Sequence, residues 1–361
     1  METAATILTW FDPRLARARV RLDSGKEQVV RKYILYRFLQ FLAIVFIANS
    51  LTFLVPRMVP GDPIVEYLNN QQLLNPNPEF DAWVEEYKVK FGVNEPLWRQ
   101  YINFWVGVVQ GDFGYSITAF PETVWHRITF ALPWTVGLVS VATLLAFVIG
   151  TSLGALLGWP DAPQIFQYLV PVLMVLGGIP FWLFTFFVIW LFAVELRILP
   201  PSGGMDMMEI LIAGAKPIDY VRNVIHHAIL PVSVFILFGL GAWGLSMRAN
   251  LIMVLGEDYI LFAHAKGLPE RRVFLRYGVR NALLPVITGL ALAMGRIISG
   301  SPILETSFSY PGIGSVVGAA INSRDYFVIS GAAFFMIFSS ALSLFVVDLI
   351  YPLIDPRVRY Q

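Results

Sequence analysis

Glu257-Asp-Tyr-Ile-Leu-Phe-Ala-His-Ala-Lys-Gly-Leu-Pro-Glu-Arg-Arg-Val-Phe-Leu-Arg-Tyr-Gly-Val-Arg-Asn-Ala-Leu-Leu-Pro285 is a charged interruption between two long apolar runs. Tyr259 to Lys266 fits a short helix, which Gly267 ends by taking a left-handed conformation. Leu268-Pro269 then turns the chain. Pro269 to Arg276 fits a second short helix with proline in its first turn, where the missing N–H costs nothing. The expected product is a helix–turn–helix that exposes Lys266, Arg271 and Arg272 and keeps Ala263, Leu268, Val273 and Phe274 as an apolar ridge. Such an element fits a groove on another protein. On the residues alone, a basic amphipathic loop resting on anionic lipid fits slightly better.

The runs on either side set the solvent. Hydrophobic residues make up 57% of the chain and charged residues only 14%, where a soluble domain carries about a quarter. Mean hydropathy is +0.65. A bilayer core takes roughly 20 mostly apolar residues per helix. Six stretches qualify: Tyr33–Val55, Ala131–Gly158, Phe166–Val194, Ala228–Leu255, Ala282–Leu304 and Phe327–Ile354. The expectation is an all-α polytopic membrane protein with six transmembrane helices. Gly150, Gly154 and Gly158 form a small-residue stripe on the second of these, where a neighbouring helix can approach closely. A net charge of +1 gives no global field toward nucleic acid, and the absence of cysteine excludes disulfides and thiolate chemistry. The polar, basic N-terminus and the long apolar run after it do not match a cleavable signal peptide.

Basic residues orient the spans. Arg14 to Lys32, the loop bearing Lys266 to Arg280, and Arg357 with Arg359 all fall on one side of a six-span chain, which the positive-inside rule assigns to the cytoplasm. Both termini are therefore expected inside. The expected organisation is an arm at 1–32, a first span at 33–55, an enlarged external segment at 56–130, and a core at 131–355 with the cytoplasmic loop 256–281. A tail at 356–361 follows. Within the external segment, Asn75-Pro-Asn-Pro78 breaks the chain, and Phe80–Phe91 and Leu97–Val109 read as amphipathic helices. They fit anchoring at the membrane surface and equally a platform for an external partner.

Resemblance sharpens this reading. Ala263-His-Ala-Lys-Gly-Leu-Pro-Glu-Arg-Arg-Val273 followed by Arg280-Asn-Ala-Leu-Leu-Pro285 resembles the ATPase-coupling loop of ABC importer permeases. The form is that of the dipeptide/oligopeptide/nickel family. Further strings resemble that family in the same order: Val59-Pro-Gly-Asp-Pro63, Phe91-Gly-Val-Asn-Glu-Pro-Leu97 with Gln100-Tyr101, and Gly111-Asp-Phe-Gly-Tyr-Ser116. So do Leu199-Pro-Pro-Ser-Gly203, Glu305-Thr-Ser-Phe-Ser-Tyr-Pro-Gly-Ile-Gly314 and Arg324-Asp-Tyr326. Leu-Phe-Ala at 261–263 lacks the loop's usual acidic residue, and 1–32 and 69–86 look longer than the family pattern.

The resemblance implies the type I ABC importer permease fold and a B-type permease subunit in the inner membrane. Implied partners are a paralogous second permease, one or two ABC ATPase subunits, and an extracytoplasmic substrate-binding protein. The implied cargo is di- or oligopeptide, with oligosaccharide or nickel as alternatives. No Gly-x4-Gly-Lys-Ser/Thr phosphate loop occurs in the sequence, so ATP and magnesium are expected on the ATPase subunits, with no cofactor and no enzymatic activity in this chain.

Intramembrane charge is the remaining signal. Arg296 falls about halfway along the expected fifth span and Glu305 at its outer end. Arg296 and Glu305 are the candidates for lining a translocation path, where Arg296 would meet an anion; Arg296 fits equally an ion pair with the partner permease. Arg248 and Asp348 lie near span ends, where snorkelling or local pairing accounts for them. His126, His226, His227 and His264 show no metal-ligand spacing. A stand-alone secondary transporter would need inverted repeats or more buried charge, and a membrane enzyme would need a catalytic constellation. Neither is evident.

Overall fold

The computed structural model describes residues 13–74, 79–206, 208 and 216–354. The tail at 356–361, the first twelve residues of the arm and the Asn75–Pro78 break lie outside the described residues. Among those described there is no strand, only one isolated bridge between Tyr115 and Thr123. In chain order the helices are α1 (Pro13–Met58), α2 (Pro63–Leu74), α3 (Phe80–Lys90), α4 (Leu97–Gln110), α5 (Val124–Gly158), α6 (Leu169–Gly178) and α7 (Phe181–Ile189). They continue as α8 (Pro217–Leu255), α9 (Asp258–Ala265), α10 (Glu270–Gly295), α11 (Pro302–Ser307), α12 (Ile313–Asn322) and α13 (Tyr326–Ile354).

Among the described residues five helices are long and apolar enough to cross a bilayer: Val30–Met58 of α1, then α5, α8, α10 and Tyr326–Ile350 of α13. The expected third span, Phe166–Val194, is not one straight helix. It is a pair, Gln164–Gly178 and Phe181–Glu195, bent by 104°. The break has a local cause. Pro180 lacks an N–H and holds the residue before it out of the helical region; Ile179 is extended at φ −76°, ψ 134°. The expected fifth span is also displaced. Helix α10 starts at Glu270 and ends at Gly295, and Gly300 at φ +67° and Pro302 prevent it from continuing to Leu304. Apolarity ran past the break, so a hydropathy reading placed the span too late.

The chain divides into two compact units, Met1–Ala48 with Ala341–Gln361 and Asn49–Ser340. In the first, Arg37 pairs with Asp348 at 3.2 Å and the Tyr33 hydroxyl donates to the Asp348 carbonyl at 3.1 Å. Asp348 is thus paired locally, as expected of it. Phe41 meets the Phe345 ring 5.6 Å away.

In the second unit α5 packs closely along α8. A Cβ on Gly154 would collide with the Gly244 carbonyl, and one on Gly150 would lie 2.7 Å from Trp243 Cβ. Glycine therefore lets the two backbones touch, as the stripe predicts. Ala155, Met247, Leu251, Ala282 and Val286 then tie α5, α8 and α10 into one buried cluster. Arg248, on α8, finds no local partner: its Nε is buried without a hydrogen bond among the described residues.

Residues 56–130, expected outside, build a small core of their own. The stripe Phe80, Trp83, Val84, Tyr87 and Phe91 of α3 packs on Ile64 and Leu68 of α2 and on Ile117. It faces protein, not the membrane surface. Asp62 starts α2 by accepting from the Ile64 and Val65 amides at 2.9 and 3.3 Å, with Pro63 at the first turn. Helix α4 is different. Trp98, Ile102, Val106 and Val109 leave it exposed on one face.

Candidate functional site

The loop between α8 and α10 is folded, not loose. Helix α9 ends at Lys266, Gly267 takes φ +69°, and the Leu268 amide returns to the Ala263 carbonyl at 3.3 Å. Pro269 is extended and caps the next helix, receiving the Arg272 and Val273 amides on its carbonyl. That helix is not a separate short element. It winds through a π turn at Val273–Val279 and continues as the apolar α10. His264 Nδ1 and Glu270 Oε1, 3.2 Å apart, bridge the turn from side to side, a contact that no spacing rule in the sequence signals.

The expected apolar ridge is placed differently. Ala263 and Val273 are buried and, with Ile260, form a core beneath the loop, with Leu268, Trp159, Leu255 and Tyr277 packed around it. Phe274 packs tilted against Trp159, with 4.8 Å between ring centres. The outward apolar residues are instead Leu261 and Phe262, 68% and 65% exposed. A turn of α9 sends 260 and 263 inward together, so 261 and 262 must face out. Lys266, Gly267, Arg271 and Arg272 are exposed beside them. The surface is therefore an aromatic–aliphatic pair flanked by three cations, presented on a rigid base.

Elsewhere in the chain, sequence-distant motifs meet. Arg324 donates to Glu66 at 2.6 Å and to the Pro60 carbonyl at 3.0 Å. Gly61 sits beneath that guanidinium at φ +116°, where a side chain would be strained and would clash. Lys88 pairs with Asp62 at 3.1 Å, and this contact holds its ammonium above the usual lysine range. The Gly203 amide donates to the Phe308 carbonyl at 2.7 Å.

Arg296 caps the C-terminal end of α10, exposed, with its amide bonded to Ala293. It is not mid-helix. A cation there lies against the negative end of the α10 dipole. Glu305 is fully buried and faces no open space in this conformation. Its Oε2 accepts from the Gly314 amide at 2.6 Å and its Oε1 from Ser301 at 3.4 Å, while Thr135 of α5 accepts from Ile313 at 2.8 Å. The carboxylate thus caps the start of α12 and folds the 300–314 segment around itself. Burial raises its carboxyl above the ordinary range, against the pull of those amides. Among the described residues no group of three or more His, Cys, Asp or Glu is placed to hold a metal ion.

Residues 150–360 match the family described as binding-protein-dependent transport system inner membrane component. The chain is 32% identical to the di/tripeptide transport system permease protein DppB of Pseudomonas aeruginosa, covering 88% of this chain and 95% of the relative. It is also 32% identical to the oligopeptide transport system permease protein AppB of Bacillus subtilis, covering 91% and 99%. Against the glutathione transport system permease protein GsiC of Shigella flexneri, identity is 31% over 91% and 99%.

Proposed function

Because the chain belongs to the binding-protein-dependent transport system inner membrane component family, we propose that it is the permease subunit of an ATP-driven importer of di- and oligopeptides. It is a multi-pass inner-membrane protein that forms half of the translocation path. A paralogous permease forms the other half. One or two ATPase subunits bind ATP and magnesium on the cytoplasmic side, and an extracytoplasmic binding protein delivers the cargo. Both termini lie in the cytoplasm. The peptide cargo is supported by relatives named for dipeptide, oligopeptide and glutathione transport.

The folded loop carries the proposal. Its exposed Leu261 and Phe262, flanked by Lys266, Arg271 and Arg272, suit an apolar groove with an acidic rim. Ala263, Leu268, Val273 and Phe274 make the loop stiff, and α10 continues from it without a joint. A push on the loop therefore moves α10 as a rod. Arg296 rides at the far end of that rod, where it lines the path and meets the carboxylate of a passing peptide. Glu305 holds the turn behind it. Tagged protein drawn from membranes tests this directly. An ATPase subunit is expected to co-purify with the wild type and to be lost when Leu261 and Phe262 are both replaced by Ser. Retention in that variant overturns the docking assignment, and a peptide-free binding-protein eluate overturns the cargo.

A further inference from the structure

Helix α4 borders a cavity of about 320 Å³ that none of the transport steps above uses. Arg57, Gln100 and Ser330 give it a polar wall, and Phe91, Phe104 and Phe327 an apolar one. Arg57 belongs to the last turn of α1, at the end of the apolar span Val30–Met58, which is the depth of lipid headgroups. Its guanidinium lies over the Phe53 ring at 3.8 Å. Nε donates to Gln100 at 3.2 Å and Nη1 to the Phe53 carbonyl at 2.9 Å. Among the described residues, none of these partners is a carboxylate. Asp112, at the rim, is turned onto the Gly114 amide at 2.9 Å.

Ser330 makes the second half of the case. It is 3% exposed, and its buried hydroxyl has no hydrogen-bond partner among the described residues. A half-buried cation with no carboxylate partner among the described residues, and a buried hydroxyl with no partner there either, are both costly unless a ligand completes them. The ligand they suit is an anion with several acceptor oxygens.

The cavity does not stop there. Val106 and Gln110 also line a second cavity of about 410 Å³ that runs along α4 past Tyr101, Ile102, Trp105 and Val109. That wall is apolar and exposed; Val109 is 85% exposed. A free anion has no use for such a groove, whereas an acyl chain does. We propose that this composite site holds a phospholipid, its phosphodiester against Arg57 and Ser330 and one acyl chain along α4. The lipid anchors α4 to the adjoining leaflet, independently of which cargo the chain carries.

Native mass spectrometry of the full-length chain, with whatever subunits co-purify, reads this out. Delipidated protein is offered phosphatidylglycerol, diacylglycerol, glycerol 3-phosphate or inorganic phosphate. Phosphatidylglycerol is expected to bind, diacylglycerol not to, and the two soluble phosphates not to displace it. Arg57→Gln is expected to weaken the bound lipid about tenfold, in keeping with the loss of one charge-assisted contact. Val106→Trp, which fills the exposed junction of the two cavities without touching the core, is expected to do the same. Equal lipid occupancy in wild type and both variants overturns the proposal. So does displacement by glycerol 3-phosphate or inorganic phosphate, which would make the site one for a free anion.

Discussion

Ser116 Oγ donates to Asp325 Oδ2 at 2.6 Å across 209 residues of chain. Asp325 is fully buried and also accepts from the Thr118 amide and hydroxyl, each at 3.2 Å, and from the Val328 amide at 3.2 Å. One carboxylate therefore caps α13 and fastens the 111–118 loop to it. Removing it strands buried donors, at about 1–3 kcal/mol each before relaxation. Asp325→Ala is expected to lower the apparent Tm of the purified protein by several degrees and to expose the 56–130 segment to protease. Unchanged melting and digestion would reduce this cluster to a passive contact.

These contacts also explain what the sequence could disclose. The all-helical, membrane-spanning fold was legible because apolar length and basic loops obey physics that acts locally. The motifs Val59–Pro63, Gly111–Ser116 and Arg324–Tyr326 were legible as strings, but their meeting was not, since pairing of Arg324 with Glu66 depends on chain closure over 258 residues. The helix ends were legible only where local chemistry dominates. Gly267 stops α9 as expected, whereas Gly300 and Pro302 sit inside an apolar run whose hydropathy does not register the stop. In the loop, the choice of inward residues turned on one helical phase: burying Ile260 as well as Ala263 left Leu261 and Phe262 outside.

Glu305 gives a pH test with a definite sign. Burial raises its carboxyl in the folded protein, so folding favours the protonated form. That contribution is full below the unfolded value, about 4.3, and is lost as pH rises through the raised folded value. Glu305→Gln keeps a neutral acceptor for the Gly314 amide and does not titrate. The Tm of the variant minus that of the wild type is expected to grow as pH rises across this window. A difference that stays flat would mean the carboxyl does not titrate in its raised position.

Gly267 is the cheapest way to disturb the loop alone. A Cβ there would meet nothing within 4 Å, so space does not forbid a side chain; φ +69° does. A β-branched residue held at such an angle costs about 1–3 kcal/mol. Gly267→Val is expected to insert and assemble normally while transport-coupled ATP hydrolysis falls severalfold, and Gly267→Asn, which tolerates this angle, to restore most of it. Normal coupling in the valine variant would sink the assignment of the loop as receiver of the ATPase stroke.

The cations beside Leu261 and Phe262 should act differently from that apolar pair. Rim charges govern association rate and salt dependence more than they govern the bound state. Arg271→Glu with Arg272→Glu is expected to slow capture of the ATPase subunit about tenfold at low salt, with the deficit shrinking as ionic strength rises. The serine replacements at 261 and 262 should weaken capture at every salt concentration. If the two pairs of variants respond to salt alike, the surface is not divided into an apolar centre and a charged rim.

Arg296 separates two mechanisms at the far end of α10. Arg296 is exposed and caps the helix through its backbone amide, so neither a buried ion pair nor a packing role within this chain requires its guanidinium. If it lines the path, Arg296→Ala should leave the assembled complex and its basal ATP hydrolysis intact and reduce uptake of peptides with a free C-terminal carboxylate. C-terminally amidated peptides, which carry no such charge, should then be affected less. If instead it pairs with an acidic residue of the partner permease, the alanine variant should lose that partner on purification, because stranding one member of a buried pair costs about 3–5 kcal/mol. Charge reversal at Arg296 sharpens the choice. Arg296→Glu in a path residue would repel the carboxylate peptide and spare assembly, whereas in an interface residue it would break assembly outright. Loss of assembly in both variants would take Arg296 out of the path and place it at the seam between the two permeases.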